Sequence, residues 1–330
     1  MAVTANTNET YDVSTIREDL SEAMASITPT ETLLMSSIGT RNVDNTFFEW
    51  SEVDLAATGA NRQIEGDVGL SNTAPTNAVR KGGYTQISAK VVEVSSTNQA
   101  VNGVANAQTV AKQVAYKLSE LKRDMEAMLL DNVAANAGAS GTARQTAGLP
   151  AYLTTNVSRG ASGANGTTSG TGEAGHVDAA ATDGTLRPIT EALLKGVIAD
   201  CWNSGATPKI VMCGSAQKQK ISTFTGNATR FKEAEDSKLN AAIDVYVSDF
   251  GEVQIVPNRH MRVRTVSSVD YTPDVLVLDP SYAEVAYLQT AKQEPLAKTG
   301  LSERRLISCE YGLQVTSQKA HGIVADINAS

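Results

Sequence analysis

Three histidines, three cysteines and one glycine-rich hexapeptide are the obvious chemical groups in this 330-residue chain. His176, His260 and His321 could offer ring nitrogens to a metal. None has a second His, a Cys or a carboxylate at zinc-ligand spacing, and neither HExxH nor CxxC occurs. Cys213 closes an apolar run and could pair with the distant His260 as an activated thiol, although a buried, inert cysteine is the commoner outcome for such a residue. Gly170-Thr171-Gly172-Glu173-Ala174-Gly175 matches GxGxxG. That motif holds a dinucleotide only where a strand leads in and a helix leads out, so that phosphate meets the helix N-terminus. Neither flanks it here. Phosphate-loop and nucleophile-elbow motifs are missing, and no carboxylate pair suggests acid–base work. The expectation is no cofactor, no metal and no catalytic residue: not an enzyme.

Composition narrows the remaining classes. The chain is 41% hydrophobic and 19% charged, enough apolar matter for a substantial core, with a net charge of −8. An acidic chain does not advertise nucleic-acid binding, and the locally basic PNRHMRVR around His260 reads as a salt-bridging surface because aromatic interleaving is lacking. The polar start MAVTANTNETYDV is unlike a secretory signal, and no apolar run approaches the ~18 residues of a membrane span. Three widely spaced cysteines do not make a disulfide framework. A soluble cytosolic product is expected.

The element that must organise the chain is Asn106 to Asn136. Val110, Val114, Leu118, Leu121, Met125, Met128, Leu129 and Val133 fall at steps of three and four, which predicts one long helix with one apolar stripe. Lys112, Lys117, Glu120, Lys122, Arg123, Asp124 and Glu126 would occupy its solvated side, Asn106 would cap it, and Gly138 would lie just past its end. Before it, Thr15 to Glu18 can form a capping box, and Ile16, Leu20, Met24 and Ile27 continue with helical spacing to Pro29. Thr32 to Ile38 predicts a second short helix, stopped at Gly39. Asn45 to Ala100 reads as two strand arms, TFFEWSEVDL and Tyr84 to Val94, around a tip rich in Gly, Asn, Ala and Pro. A loop this long is functional or disordered, and an exposed edge ribbon invites pairing with another chain.

After the long helix, AGLPAYLTTN predicts a turn and strand, and the low-complexity stretch Val157 to Thr185 a flexible surface excursion. From Leu186 the pattern becomes mixed. A helix with Pro188 in its first turn carries Ile189, Leu193, Val197, Ile198 and Trp202 on its apolar face and ends before Gly205. Lys209 to Cys213 reads as a strand, Ser215 to Phe224 as a helix. Ile243 to Ser248 and Glu252 to Val256 form a hairpin. Asp274 to Asp279, Ala283 to Leu288, Arg304 to Cys309, Tyr311 to Thr316 and His321 to Ile327 are further strands. A sheet so late in sequence could cover the stripe of the long helix.

The order of these pieces resembles the Hong Kong 97 fold of tailed-phage major capsid proteins. The segments YDVSTIREDLSEAMASITPTETLLMSSIG, FFEWSEVDLA, ELKRDMEAMLL, IDVYVSDFGEVQIVPNRHM, VLDPSYAEVAYL and LAKTGLSERRLISCEYGLQV are similar to one podovirus-type group of them, from about Tyr11 to Ile327. The resemblance implies an α+β fold with an N-terminal arm (1–44) and an extended loop (45–100) lying on the adjacent subunit. It further implies a peripheral domain (101–150 and 295–330) with a spine helix (106–136), and an α/β axial domain (151–294). The implied function is structural: hexamers and pentamers closing an icosahedral head around double-stranded DNA, built in the host bacterial cytoplasm. Implied partners are further copies of the chain, a separate scaffolding protein, a portal, a possible decoration protein and the packaged DNA as a non-specific neighbour; no membrane is implied. Some relatives cross-link through a Lys–Asn isopeptide bond, and Lys81 is available, although its spacing shows no such reaction. Arg62, Glu65, Asp67, Arg80, Lys81, Lys298, Arg304 and Arg305 are expected to meet neighbouring subunits. An encapsulin-like compartment shares the fold and is the alternative; a tail or adhesin protein would rarely carry the long helix.

Overall fold

The computed structural model describes residues 28–62, 65–66, 74–101, 109–169, 175–224, 245–261, 263–266, 269–298 and 300–328. The expected capping box at Thr15, the helix through Ile16 to Ile27, Asn106, Asp67 and all of the GxGxxG motif but Gly175 lie outside them.

The long helix, α3, runs from Val110 to Leu130, shorter at both ends than expected. Its cap is Thr109, and Asp131 turns extended (φ −81°, ψ 150°), with its N–H bonded to the Met128 carbonyl. Val133 and Asn136 therefore belong to the following loop, and Gly138 (φ +74°) serves the turn closed by Ala139 and Thr142, not a helix end. The apolar stripe lands where sheet is available. Strands β1 (Gly39–Asn42), β14 (Ala283–Pro295), β15 (Ser302–Val315) and β4 (Gln86–Ser95) make a four-stranded sheet in the order β1-β14-β15-β4. Leu121, Met125 and Leu129 of α3 share a buried cluster with Val92 and Val94 of β4 and Ile307, Cys309, Tyr311 and Leu313 of β15. Lys90, on the helix-facing side of β4, pairs with Asp124 at 2.7 Å and Glu120 at 3.4 Å.

A six-stranded sheet forms the other layer: β5 (Val157–Ser158), β16 (Gly322–Val324), β13 (Val275–Leu278), β8 (Ile210–Cys213), β10 (Gly251–Pro257) and β9 (Val245–Ser248), in that order. Helix α5 (Glu191–Asn203) lays Leu194, Val197 and Ile198 against one face, where α6 (Ser215–Ile221) also packs. Met212, Leu276 and Ile323 on the other face join the cluster that holds α3. The central strand β13 is buried on both sides, which is why its sequence, VLVL, shows no alternation.

Smaller elements complete the chain: helices α1 (Leu33–Ser37), α2 (Ser96–Ala100) and α4 (Leu149–Tyr152), the ribbon β2 (Phe47–Glu52) with β3 (Val79–Tyr84), and the pairs β6 (Thr167–Thr168) with β7 (Val177–Ala179) and β11 (Arg264–Val266) with β12 (Val269–Tyr271). Several expectations need correcting. The stretch at Pro150 is one helical turn, because Pro suits the first position of a helix, and no strand follows directly. α5 begins at Glu191, where the Thr190 hydroxyl accepts from the Leu193 N–H at 3.4 Å, and Trp202 points outward. The stretch from Val157 to Thr185 contains three short strands and buries Val177. Two expected strands at Arg304 and Tyr311 are one continuous β15. Glu126, expected on the solvated side of α3, is fully buried.

Candidate assembly surface

The ribbon β2–β3 leaves the body at Thr85, a bend whose N–H donates to the Thr46 carbonyl and whose hydroxyl donates to Glu310 at 2.7 Å. The strand pairing with β2 is VRKGGY, not Tyr84 to Val94 as expected; the latter, as β4, belongs to the sheet under α3. Ring size decides this register. Phe47 faces Tyr84 and Phe48 faces Gly83, and a Cβ on Gly82 would lie 2.3 Å from the Phe47 ring. A Cβ on Gly83 or Gly312 would lie 2.9 Å or 2.6 Å from Phe48, so bare backbone on both sides makes the slot for that ring. Phe48 and Trp50 are buried there with Val43 and Ala286, and the Tyr152 ring stands 6.5 Å from Trp50 while its hydroxyl donates to the Leu313 carbonyl at 3.1 Å. The other flank is stitched to Gly175, just before β7: Gly82 N–H donates to the Gly175 carbonyl, and Gly175 N–H to the Arg80 carbonyl. His176 packs edge-on against Tyr84 at 5.1 Å.

Beyond Glu52 the ribbon changes. Every described residue from Val53 to Arg62, and from Ala74 to Pro75 and on to Arg80, is exposed, including Val53, Leu55 (84%) and Val79. Lys319 Nζ tethers this stretch to the body through Asp54 at 2.6 Å. A second projection is the β14–β15 tip, where Lys298 is exposed and Leu301 is 85% exposed beside α2.

The eight candidate interface residues divide between these projections. Arg62 and Glu65 are exposed near the ribbon tip, and Asp67 lies outside the described residues. Arg80 pairs with Glu49 at 2.6 Å and Lys81 with Glu52, both across the ribbon base. At the other projection Arg304 faces Glu93 at 3.4 Å and Arg305 pairs with Glu303. Pairs as exposed as Arg80–Glu49 and Arg304–Glu93 are worth about 0–1 kcal/mol each.

Groups that could have carried chemistry are occupied otherwise. Burial pushes Cys201 and Cys213 up to about 12 and Cys309 to about 11, so these thiols stay protonated. His260, offered as a partner for Cys213, instead sets Nε2 against the Glu31 carbonyl at 2.8 Å. Burial lowers His321 to about 4, leaving a neutral ring whose Nδ1 accepts from the Asp279 N–H. No cluster of three His, Cys, Asp or Glu side chains suits a metal, and no helix is long and apolar enough to cross a membrane, among the described residues.

A long helix on a four-stranded sheet, a projecting ribbon and a second α/β sheet define the Hong Kong 97 class of capsid folds. The solved capsid of cyanophage P-SCSP1u superimposes with a TM-score of 0.61 at 11% identity, covering 99% of this chain and 97% of that one. The holo-SrpI encapsulin of Synechococcus elongatus PCC 7942 gives 0.56 at 11% identity, covering 96% and 94%. In sequence, the chain is 24% identical to the major capsid protein of Escherichia phage Phieco32, over 95% of each. Residues 3–328 match the SU10 major capsid protein family, and the chain belongs to it.

Proposed function

We propose that copies of this chain form hexamers and pentamers that close into the icosahedral head of a phage around double-stranded DNA. The carrying observation is the ribbon: residues 53–62 and 74–79 are exposed, and among them are the apolar Val53, Leu55 and Val79. A stable interface buries about 1,600 Å² in total, and an arm reaching a neighbour adds area that the body alone lacks. Many modest contacts in closed symmetry then hold the shell. In this reading residues 101–150 and 295–330, with the spine helix α3, form the peripheral domain, and residues 151–294 form the axial domain around five-fold and quasi-six-fold axes. Arg62, Glu65, Asp67, Arg80, Lys81, Lys298, Arg304 and Arg305 meet neighbouring subunits. Assembly takes place in the host bacterial cytoplasm with a separate scaffolding protein, a portal and a decoration protein, and packaged DNA lies nearby without being read.

Replacing residues 55–77 by a short Gly-Ser turn keeps the Glu52–Val79 pairing and removes the arm. The expected result is folded, soluble capsomers or subunits without shells; normal particles in negative-stain microscopy would refute the proposal. Shells of the intact chain should contain DNA when recovered from infected cells. A protein cargo in its place would favour the encapsulin-like compartment.

A further inference from the structure

The ribbon and the four-stranded sheet meet at a single residue. β3 pairs with β2 as far as Tyr84, and β4 pairs with β15 from Gln86, so Thr85 alone separates two strands that follow different sheets. It is fully buried, its N–H donates to the Thr46 carbonyl at 2.9 Å, and its hydroxyl donates to Glu310 Oε1 at 2.7 Å. The same oxygen accepts from Arg144, which reaches it from the loop after α3. Glu310 shares with Gly312 the face of β15 turned away from the helix, where Phe48 also packs.

Three features converge on this carboxylate, and a plain sheet needs none of them. Burial is inverted: Glu310 is 7% exposed, whereas Ile87, its partner across the register, is 60% exposed. β14 is irregular opposite it. Gln289, which faces Glu310, has a register shift on either side, while β15 pairs with β4 from Ser302 to Tyr311 without one. Bulges of this kind re-aim side chains beside functional sites. Gly138 (φ +74°) clears the path for Arg144, because a Cβ there would lie 2.7 Å from the Arg144 Cγ. Replacing a buried ion pair by apolar residues of similar volume is often neutral, so stability alone does not account for Glu310. We propose that Glu310 is the positioning residue of the ribbon: through the Thr85 hydroxyl it fixes the direction in which β2 and β3 leave the body, and Arg144 holds the carboxylate in place. Gly175 and Lys319 steady the flank, but Thr85 sits at the pivot. Six residues of β3 extend about 20 Å from it, so a swing of about 20° there moves the far end about 7 Å. The consequence for assembly rests on the ribbon reaching a neighbouring copy, as proposed above; the direction itself does not.

Paired spin labels on the full-length, unassembled subunit test this. Ala57→Cys on the ribbon and Ala192→Cys on α5 are exposed positions, while Cys201, Cys213 and Cys309 are buried. The distance distribution between the labels, by double electron–electron resonance, reads the direction of the ribbon. Thr85→Val removes the hydroxyl and keeps the shape; it should double the width of the distribution or move its maximum by about 5 Å, a swing of the size given above. Thr85→Ser should leave the wild-type distribution. Glu310→Leu combined with Arg144→Leu removes the acceptor and should act as Thr85→Val does, which keeps the test open if Thr85→Val does not fold. An unchanged distribution in folded Thr85→Val or in the Leu pair, or a changed one in Thr85→Ser, overturns the proposal. Thr85→Val should also lower the yield of shells about 10-fold, and wild-type yield from a displaced ribbon would overturn the role in assembly. The distance needs no shell, so a wild-type chain that never assembled would count against the proposed function and not against Glu310.

Discussion

The two halves of the β2–β3 ribbon share a backbone and differ in what covers them. At the base, Phe48 fills a slot between Gly83 and Gly312 beside the buried Trp50, backed by Tyr152, and the ribbon is stitched to Gly175. At the far end, Val53, Leu55 and Val79 are as apolar and stand exposed. Apolar character alone therefore does not separate residues that fold a subunit from those that join subunits. The difference lies in whether the chain itself provides the opposing surface.

Perturbing each half should separate stability from assembly. Phe48→Ala empties the slot and is expected to cost about 3–5 kcal/mol in urea unfolding, because glycine backbone cannot close the gap. Next is acid. His321 follows the short turn whose Lys319 tethers Asp54, and its folded value of about 4 lies below the ordinary 6.5. A buried neutral ring gives stability that is fully present above about 6.5 and is lost as pH falls toward 4, about 3 kcal/mol in all. Unfolding curves across that window should show the loss, and His321→Gln should flatten it. Arg80→Ala at the base should cost about 0.5 kcal/mol, as a half-exposed pair does. Leu55→Ser should change subunit stability by less than about 0.5 kcal/mol while sharply lowering the yield of shells in sedimentation. A tip substitution that unfolded the monomer, or a Phe48→Ala subunit as stable as the wild type, would erase the distinction.

Helix α3 was legible because its apolar residues keep to one stripe over many turns, a signal that survives without any tertiary knowledge. Its ends were not, since Asp131 turns extended while the surrounding residues remain good helix formers. The ribbon's return strand was misplaced for a different reason. VRKGGY has low strand propensity, and only the rings of Phe47 and Phe48 make its two glycines the right partners. Continuous β15 was read as two strands because nothing local shows that one sheet spans both. Among the candidate charges, Arg80 and Arg304 could be named as surface groups, but Glu49 and Glu93 become their neighbours only through pairing. Glu126 misled most: spaced like a solvated helix charge, it is buried because α1 brings two N–H groups to it and Asn258, just after β10, brings an amide.

Strand β16 carries a consequence for synthesis. It comes after every other strand in sequence, yet it pairs inside the six-stranded sheet, between β5 and β13. Until residues 322–324 have left the ribosome, that layer has a missing rung and two unpaired edges. A polypeptide interrupted anywhere earlier would carry this gap as an adhesive scar, open to proteases and to aggregation. The six-stranded layer is thus completed only once residues 322–324 have been made.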